Sequence, residues 1–347
     1  MRLASWLRRP IVWIPVSVGL LALLAWRSRI WEADAAIRQV DGGPIAVAAG
    51  LCAGIAILWA IRSSDLLAAA GRPVGIGPLI PMTTFANTIN NLTPGSAGEV
   101  VRMYLLRAHH GVDYATSGAV VFIERVGAIG YLTSSALIAW LVWLGILAPF
   151  AAFVLAAATV IGPLAVYRSG LRPLSILGRL PLAWLLGDAR WRRVGTWLAR
   201  VDETVAILVG SPVRLVIFVL LSAGIFAIYG AQLVLVGRAV GISLDPAAAW
   251  GALGLSTTVG VLSLLPFGLG TGDLALAGLL GVAGVPAPAA VTMAFGYRLV
   301  STLPLSLGGV AAFAWLSARL PATGLGGAAR AVGSHIDDAL ADVPDGP

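Results

Sequence analysis

The chain has 347 residues, of which 59% are hydrophobic and 11% charged, with a mean hydropathy of +0.91. That is too apolar and too poor in charge to coat a soluble domain, so the composition specifies an integral membrane protein. The 23 basic residues are all arginine and outnumber the 16 acids for a net charge of +7, but they lie between apolar runs, which reads as membrane topology and anionic-lipid contact and not as nucleic-acid binding.

Apolar runs long enough to cross the hydrocarbon core fall at 11–26, 44–61, 117–146, 149–167, 213–236 and 288–316. The run within Met1 to Trp26 follows a basic start, but no small-residue cleavage pattern comes after it, so it reads as a retained first span. Two further apolar regions, 74–98 and 246–284, are interrupted, the first at Pro81 and Pro94. The polar segment 168–212 is rich in arginine, which places it in the cytoplasm. Counting outward from it puts the N-terminus, Arg62 and Arg72, and the connector with Arg102 and Arg107 on the cytoplasmic side. Region 74–98 then enters and leaves on one face, and 246–284 enters and leaves on the other. The expected fold is all-α: a polytopic helix bundle with six full spans and two re-entrant helical hairpins in inverted-repeat arrangement. One transmembrane domain covers 1–320, with repeats at 44–146 and 213–316, and residues 321–347 form a Gly/Ala-rich, acidic-ended, poorly ordered cytoplasmic tail. Within the connector, Trp184, Trp191 and Leu198 recur every seven residues, which fits either a helix lying in the membrane interface or a loop helix packed on the bundle.

The interrupted regions carry matching polar residues. Asn90 to Glu99 reads Asn-Asn-Leu-Thr-Pro-Gly-Ser-Ala-Gly-Glu, and Glu124 and Arg125 follow inside the next apolar run. Leu264 to Asp273 reads Leu-Leu-Pro-Phe-Gly-Leu-Gly-Thr-Gly-Asp, and Tyr297 and Arg298 follow in the same way. An acid after a Pro/Gly break with an arginine at nearly equal distance, twice, points to a duplicated unit.

Irregular backbone at membrane depth must be buried in protein or line a wet cavity. The Pro94-Gly95-Ser96-Ala97-Gly98 break is therefore expected to face the bundle interior, with Ser96 and Glu99 as a capping box that opens a half-helix. Its free amides and positive dipole end suit an anionic group such as a lipid phosphate, and Arg102, one turn on, adds a contact. Pro266, Gly268, Gly270 and Gly272 form the second break, with Thr271 as a cap and Asp273 in the first turn. Glu124 and Arg125 sit too deep to snorkel, so internal pairing is expected, and Arg298 is the natural partner of Asp273. Asn87, Asn90 and Asn91 are candidates to line the cavity or to satisfy loop backbone. Whether these groups bind substrate or hold the hairpins in place is open at this level.

Enzyme chemistry finds little support. His109 and His110 are adjacent, His335 is in the tail, and Ser96 lies in Gly-Ser-Ala-Gly and not in a Gly-x-Ser-x-Gly turn. The absence of lysine rules out a P-loop, and the single cysteine, Cys52, rules out an intrachain disulfide. No catalysis, metal or cofactor is expected.

On the stretch Asn-Asn-Leu-Thr-Pro-Gly-Ser-Ala-Gly-Glu-Val-Val-Arg at 90–102, Glu124-Arg125, Leu-Pro-Phe-Gly-Leu-Gly-Thr-Gly-Asp at 265–273, and Tyr297-Arg298, the chain resembles the transmembrane region of lysylphosphatidylglycerol synthases and its stand-alone, flippase-like relatives. It departs from their usual pattern at Asp273, where they carry glutamate, and at Gly95-Ser96, where they carry Gly-Gly. The resemblance implies movement of a membrane lipid, with a phosphate headgroup, between leaflets of a prokaryotic cytoplasmic membrane. Only 317–347 follow the last span, so it implies translocation and not lipid synthesis. Two other readings stand beside it: an accessory subunit that holds polyprenyl-phosphate for a glycosyltransferase or lipid-modifying enzyme, and a secondary transporter of small polar solutes with Glu99 or Asp273 carrying a proton.

Overall fold

The computed structural model describes residues 40–93, 97–178, 188–263, 265 and 268–318. All regular structure among them is helical. The first half contains α1 (Gly42–Gly50), α2 (Cys52–Ala69), α3 (Ile76–Leu92), α4 (Ala97–His110) and α5 (Tyr114–Trp143). A connecting group follows, α6 (Pro149–Arg168), α7 (Pro173–Gly178) and α8 (Asp188–Gly210). The second half contains α9 (Pro212–Ala239), α10 (Pro246–Leu262), α11 (Thr271–Val282) and α12 (Ala287–Ser317).

Among the described residues, four helical stretches are long and apolar enough to cross a membrane: 42–69, which joins α1 and α2, then α5, α9 and α12. Their large apolar side chains face outward as well as inward; Leu220 on α9 and Leu307 on α12 are both more than half exposed. Lipid is the solvent that suits such a surface. Helix contacts are made through glycine, as membrane helices require for close approach. Gly54 meets Ile228, Gly224 meets Leu58, and Gly251 and Gly254 lie against Trp140 and Ala136.

Local signals explain the helix ends. Asp113 caps α5 by accepting from the Thr116 amide at 2.8 Å, and Asp245 caps α10 through the Ala247 and Ala248 amides. Proline opens α6, α9 and α10 at a position where the missing N–H costs nothing. Helices α2 and α9 end alike: Arg72 and Ile242 donate their amides back to Leu67 and Gly237, around Gly71 and Gly241 at positive φ.

The two halves share their order of elements, and they pack crosswise. Helix α2 runs antiparallel to α9, with Gly54 opposite Ile228 and Arg62 opposite Ser222. Helix α10 of the second half runs antiparallel to α5 of the first, Gly251 lying by Trp140 and Thr258 by Thr133. Helix α3 of the first half runs antiparallel to α12 of the second, with Phe85 against Phe313 and Thr88 against Ser306. Each half keeps its own apolar core, one around Leu67, Leu79 and Leu105 and the other around Leu233, Leu280 and Met293.

Apolar runs located α5, α6, α9 and α12 to within a few residues, but the 44–61 run stops eight residues short of the end of α2 at Ala69, and the first interrupted region also differs from expectation. Pro81 does not break α3, which runs on through it to Leu92; a packed bundle tolerates such a proline. The returning arm does not end at 98. It is α4, which extends to His110, so Arg102 belongs to a buried helix and not to a cytoplasmic connector. In the connecting group, α8 packs on the bundle, with Trp197 edge-on to Phe122 of α5 at 5.7 Å and Leu198 buried. The 11–26 span, Trp184 and the 321–347 tail lie outside the described residues.

Candidate functional site

A polar region lies within this apolar framework, between the two halves. Glu99, in the first turn of α4, is buried where α3, α4 and α5 meet. Its Oε1 accepts from Asn90 Nδ2 of α3 at 2.9 Å, from Arg125 Nε of α5 at 2.7 Å, and from Arg125 Nη2. Its Oε2 lies 3.2 Å from Arg102 Nε, one turn along the same helix. The approach of the two arms depends on Gly98, because a Cβ there would collide with the Ala86 carbonyl oxygen and the Asn90 side chain.

Glu124 and Arg125 are neighbours in sequence and face different partners, since successive helical positions point about 100° apart. Arg125 reaches the tip at Glu99. Glu124 points the other way, accepting from Ser63 Oγ of α2 at 2.6 Å and from Arg102 Nη2, with Arg62 Nε 3.9 Å away. Arg102 also donates to Ser63 Oγ at 3.3 Å. Internal pairing is thus what the structure has, made between helices.

The second tip is simpler. Asp273 Oδ2 accepts from the Gly270 amide at 3.0 Å, closing the first turn of α11. Gly270 therefore caps this helix, at φ 84° where glycine is at ease. Thr271 does not cap it; its hydroxyl instead donates to Ser263 Oγ at 2.9 Å. Arg298 of α12 holds Asp273 in a fork, Nε to Oδ1 at 2.7 Å and Nη2 to Oδ2 at 3.1 Å.

Both tips border one cavity of about 430 Å³. Asn87, Asn90, Asn91, Glu99, Arg102, Glu124 and Arg125 reach it from the first half, and Gly268, Gly272, Asp273 and Arg298 from the second. Pro94, Gly95, Ser96 and Pro266 lie outside the described residues. Sequence reasoning missed Arg62, which is 8% exposed and also lines the cavity. It had served as a marker of the cytoplasmic side, yet α2 continues for seven residues past it. The apolar Leu66 to Ala70 and the Gly71 stop were the signal that Arg62 lies inside a helix.

These features can be set beside known proteins. The family model described as the lysylphosphatidylglycerol synthase TM region matches residues 11–309, a stretch that includes both tips, Arg125 and Arg298. The chain belongs to that family. A UPF0104 membrane protein of Methanothermobacter thermautotrophicus is similar to this chain, 26% identical over 319 residues that make up 86% of this chain and 94% of the relative.

Proposed function

We propose that the protein moves a phosphate-bearing lipid, a phospholipid or a lipid-linked precursor, between the leaflets of a prokaryotic cytoplasmic membrane. The observation that carries this reading is the cavity between the tips: a group of arginines and carboxylates buried in an otherwise apolar bundle, where ionisable groups are costly without a task. In this reading the α3–α4 and α10–α11 hairpins are re-entrant, and the antiparallel pairing of α2 with α9 reflects two inverted repeats. The hairpins open to opposite faces, with both termini cytoplasmic. The headgroup passes between the tips while the acyl chains stay in the bilayer. Arg125 and Arg298, each held by a tip carboxylate, bring their guanidinium charge to the phosphate in turn.

Protein reconstituted in vesicles with a headgroup-labelled phospholipid tests this. Transbilayer exchange should rise above that of empty vesicles. Arg125→Ala and Arg298→Ala should each slow it by about tenfold, the equivalent of one charge-assisted hydrogen bond. An unchanged rate in both variants sinks the proposal. Lipid binding without exchange would point instead to an accessory protein that holds a lipid phosphate for a partner enzyme.

A further inference from the structure

The two halves can be matched residue by residue. Helices α3 and α10 have 17 residues each and begin at Ile76 and Pro246. Gly71 and Gly241 end the preceding helices, Ala97 and Thr271 begin the returning arms, and Asp113 and Pro286 precede α5 and α12. On this register Glu99 matches Asp273 and Arg125 matches Arg298. Arg62 matches Gln232, and Cys52 matches Ser222. Side-chain contacts obey the same register: Arg62 Nη1 donates to Ser222 Oγ at 3.1 Å, and Gln232 Nε2 donates to Cys52 Sγ at 3.3 Å.

The charges do not follow the symmetry. Each tip has one acid and one arginine and is neutral. The first half has in addition Arg62, Arg102 and Glu124, and the corresponding residues of the second half are Gln232, Leu276 and Tyr297. The extra set therefore leaves one positive charge unbalanced, on one side of the cavity.

That surplus falls on Arg62. Glu124 is already taken by Arg102 and Ser63, and it stands 3.9 Å from Arg62 Nε, which has no hydrogen-bond partner. The Phe218 ring, 5.6 Å from the guanidinium carbon, and Ser222 hold the side chain from behind. A buried donor without an acceptor is costly, and a buried cation more so, unless an anion arrives from the cavity. A duplicated frame also has reason to break its symmetry where a single ligand binds. We infer that Arg62, supported by Arg102, forms an anion subsite for the singly charged phosphodiester of a lipid headgroup. This rests on the lipid reading above and fixes where in the cavity the phosphate is recognised. A single negative charge neutralises the set; a doubly charged monoester would overshoot it.

The test uses the full chain in mild detergent, titrated by native mass spectrometry with short-chain phosphatidylglycerol, with diacylglycerol of equal chain length, and with glycerophosphoglycerol as the headgroup alone. Arg62→Gln gives the first half the residue that the second half has, and should weaken phosphatidylglycerol binding at least about tenfold while leaving diacylglycerol unaffected. Arg62→Lys, which keeps the charge, should stay within about threefold of wild type. Phosphatidylglycerol binding to Arg62→Gln at wild-type strength, or no binding to wild type, overturns the inference. If Arg62→Gln does not fold, wild-type protein is photolabelled with a headgroup-diazirine phosphatidylglycerol; label within 59–63 supports the subsite, and label confined elsewhere overturns it. If the headgroup alone binds as tightly as the lipid, the subsite stands for a soluble phosphodiester and the lipid reading falls. Arg62-dependent lipid binding without transbilayer exchange leaves the subsite standing and removes only transport.

Discussion

Glu124 is 4% exposed and is the acid that offsets two arginines, Arg102 at hydrogen-bond distance and Arg62 beyond it. Removing it leaves the buried Arg62 without its nearest carboxylate and Arg102 with Glu99 alone; breaking a buried ion pair in proteins costs about 3–5 kcal/mol, whereas an exposed pair is worth about 1 kcal/mol or less. Arg125, with 44% of its side chain accessible, stands nearer the second case. Glu124→Ala should therefore lower the apparent melting temperature in detergent far more than Arg125→Ala; equal shifts would mean that the inner cluster is hydrated and not a buried network. Gly98→Ala should be similarly damaging, because its methyl collides with the Ala86 carbonyl across the hairpin. Pairs such as Asp273 with Arg298 were legible in the sequence because acid and arginine recur at matched spacing. Arg62 was not, because an arginine near the end of an apolar run is read as a topological marker, and only the course of α2 shows that it is enclosed.

Among the elements, apolar length alone located α5, α9 and α12, since a long lipid-facing helix must be apolar almost throughout. Helix α4 escaped that criterion. It buries Arg102 by pairing it with Glu99 and Glu124, so its polar residues imitate a connector. The connecting group has its own clamp, unseen in the sequence because it depends on a contact between α8 and α7. Asp202 of α8 is fully buried and accepts from Tyr167 Oη of α6 at 2.7 Å, from the Leu174 amide at 3.3 Å and from Ser175 Oγ at 2.7 Å. Burial pushes this carboxyl up, but the hydrogen bonds from Ser175, Tyr167 and Leu174 outweigh it and hold the group below the ordinary aspartate range. A depressed value in the fold means that the clamp is at full strength above the unfolded value of about 3.9 and is lost as pH falls through the folded one. Amide protection at Leu174 and Ser175 should thus be constant near neutrality and collapse only below pH ~4. Asp202→Asn should lower it at all pH and remove the transition; a transition that survives in this variant would assign it to another group.

At the scale of the whole molecule, the crosswise packing ties each hairpin to the long helix of the opposite half, so neither hairpin can shift without sliding along the other half's α5 or α12. Thr133 of α5 and Thr258 of α10 share a hydrogen bond at 2.9 Å, and the matched pair is Ser306 of α12 with Thr88 of α3, whose hydroxyl lies 3.5 Å from the Ser306 carbonyl oxygen. The two residue pairs correspond under the register that relates the halves, one meeting through its hydroxyls and the other through a hydroxyl and a carbonyl, and each can be probed with a cysteine pair. The one native cysteine, Cys52, is buried and leaves the background clean. If transport requires both hairpins to move, a disulfide at Thr133→Cys/Thr258→Cys should stop transbilayer exchange in vesicles, and one at Thr88→Cys/Ser306→Cys should do the same, each reversed by reductant. Loss of exchange with only one of the pairs would make a single hairpin the moving gate. Unchanged exchange with both disulfides fully formed would show that the headgroup passes through a cavity whose hairpins stay fixed, and the arginines, not the hairpins, would then carry the whole of the mechanism.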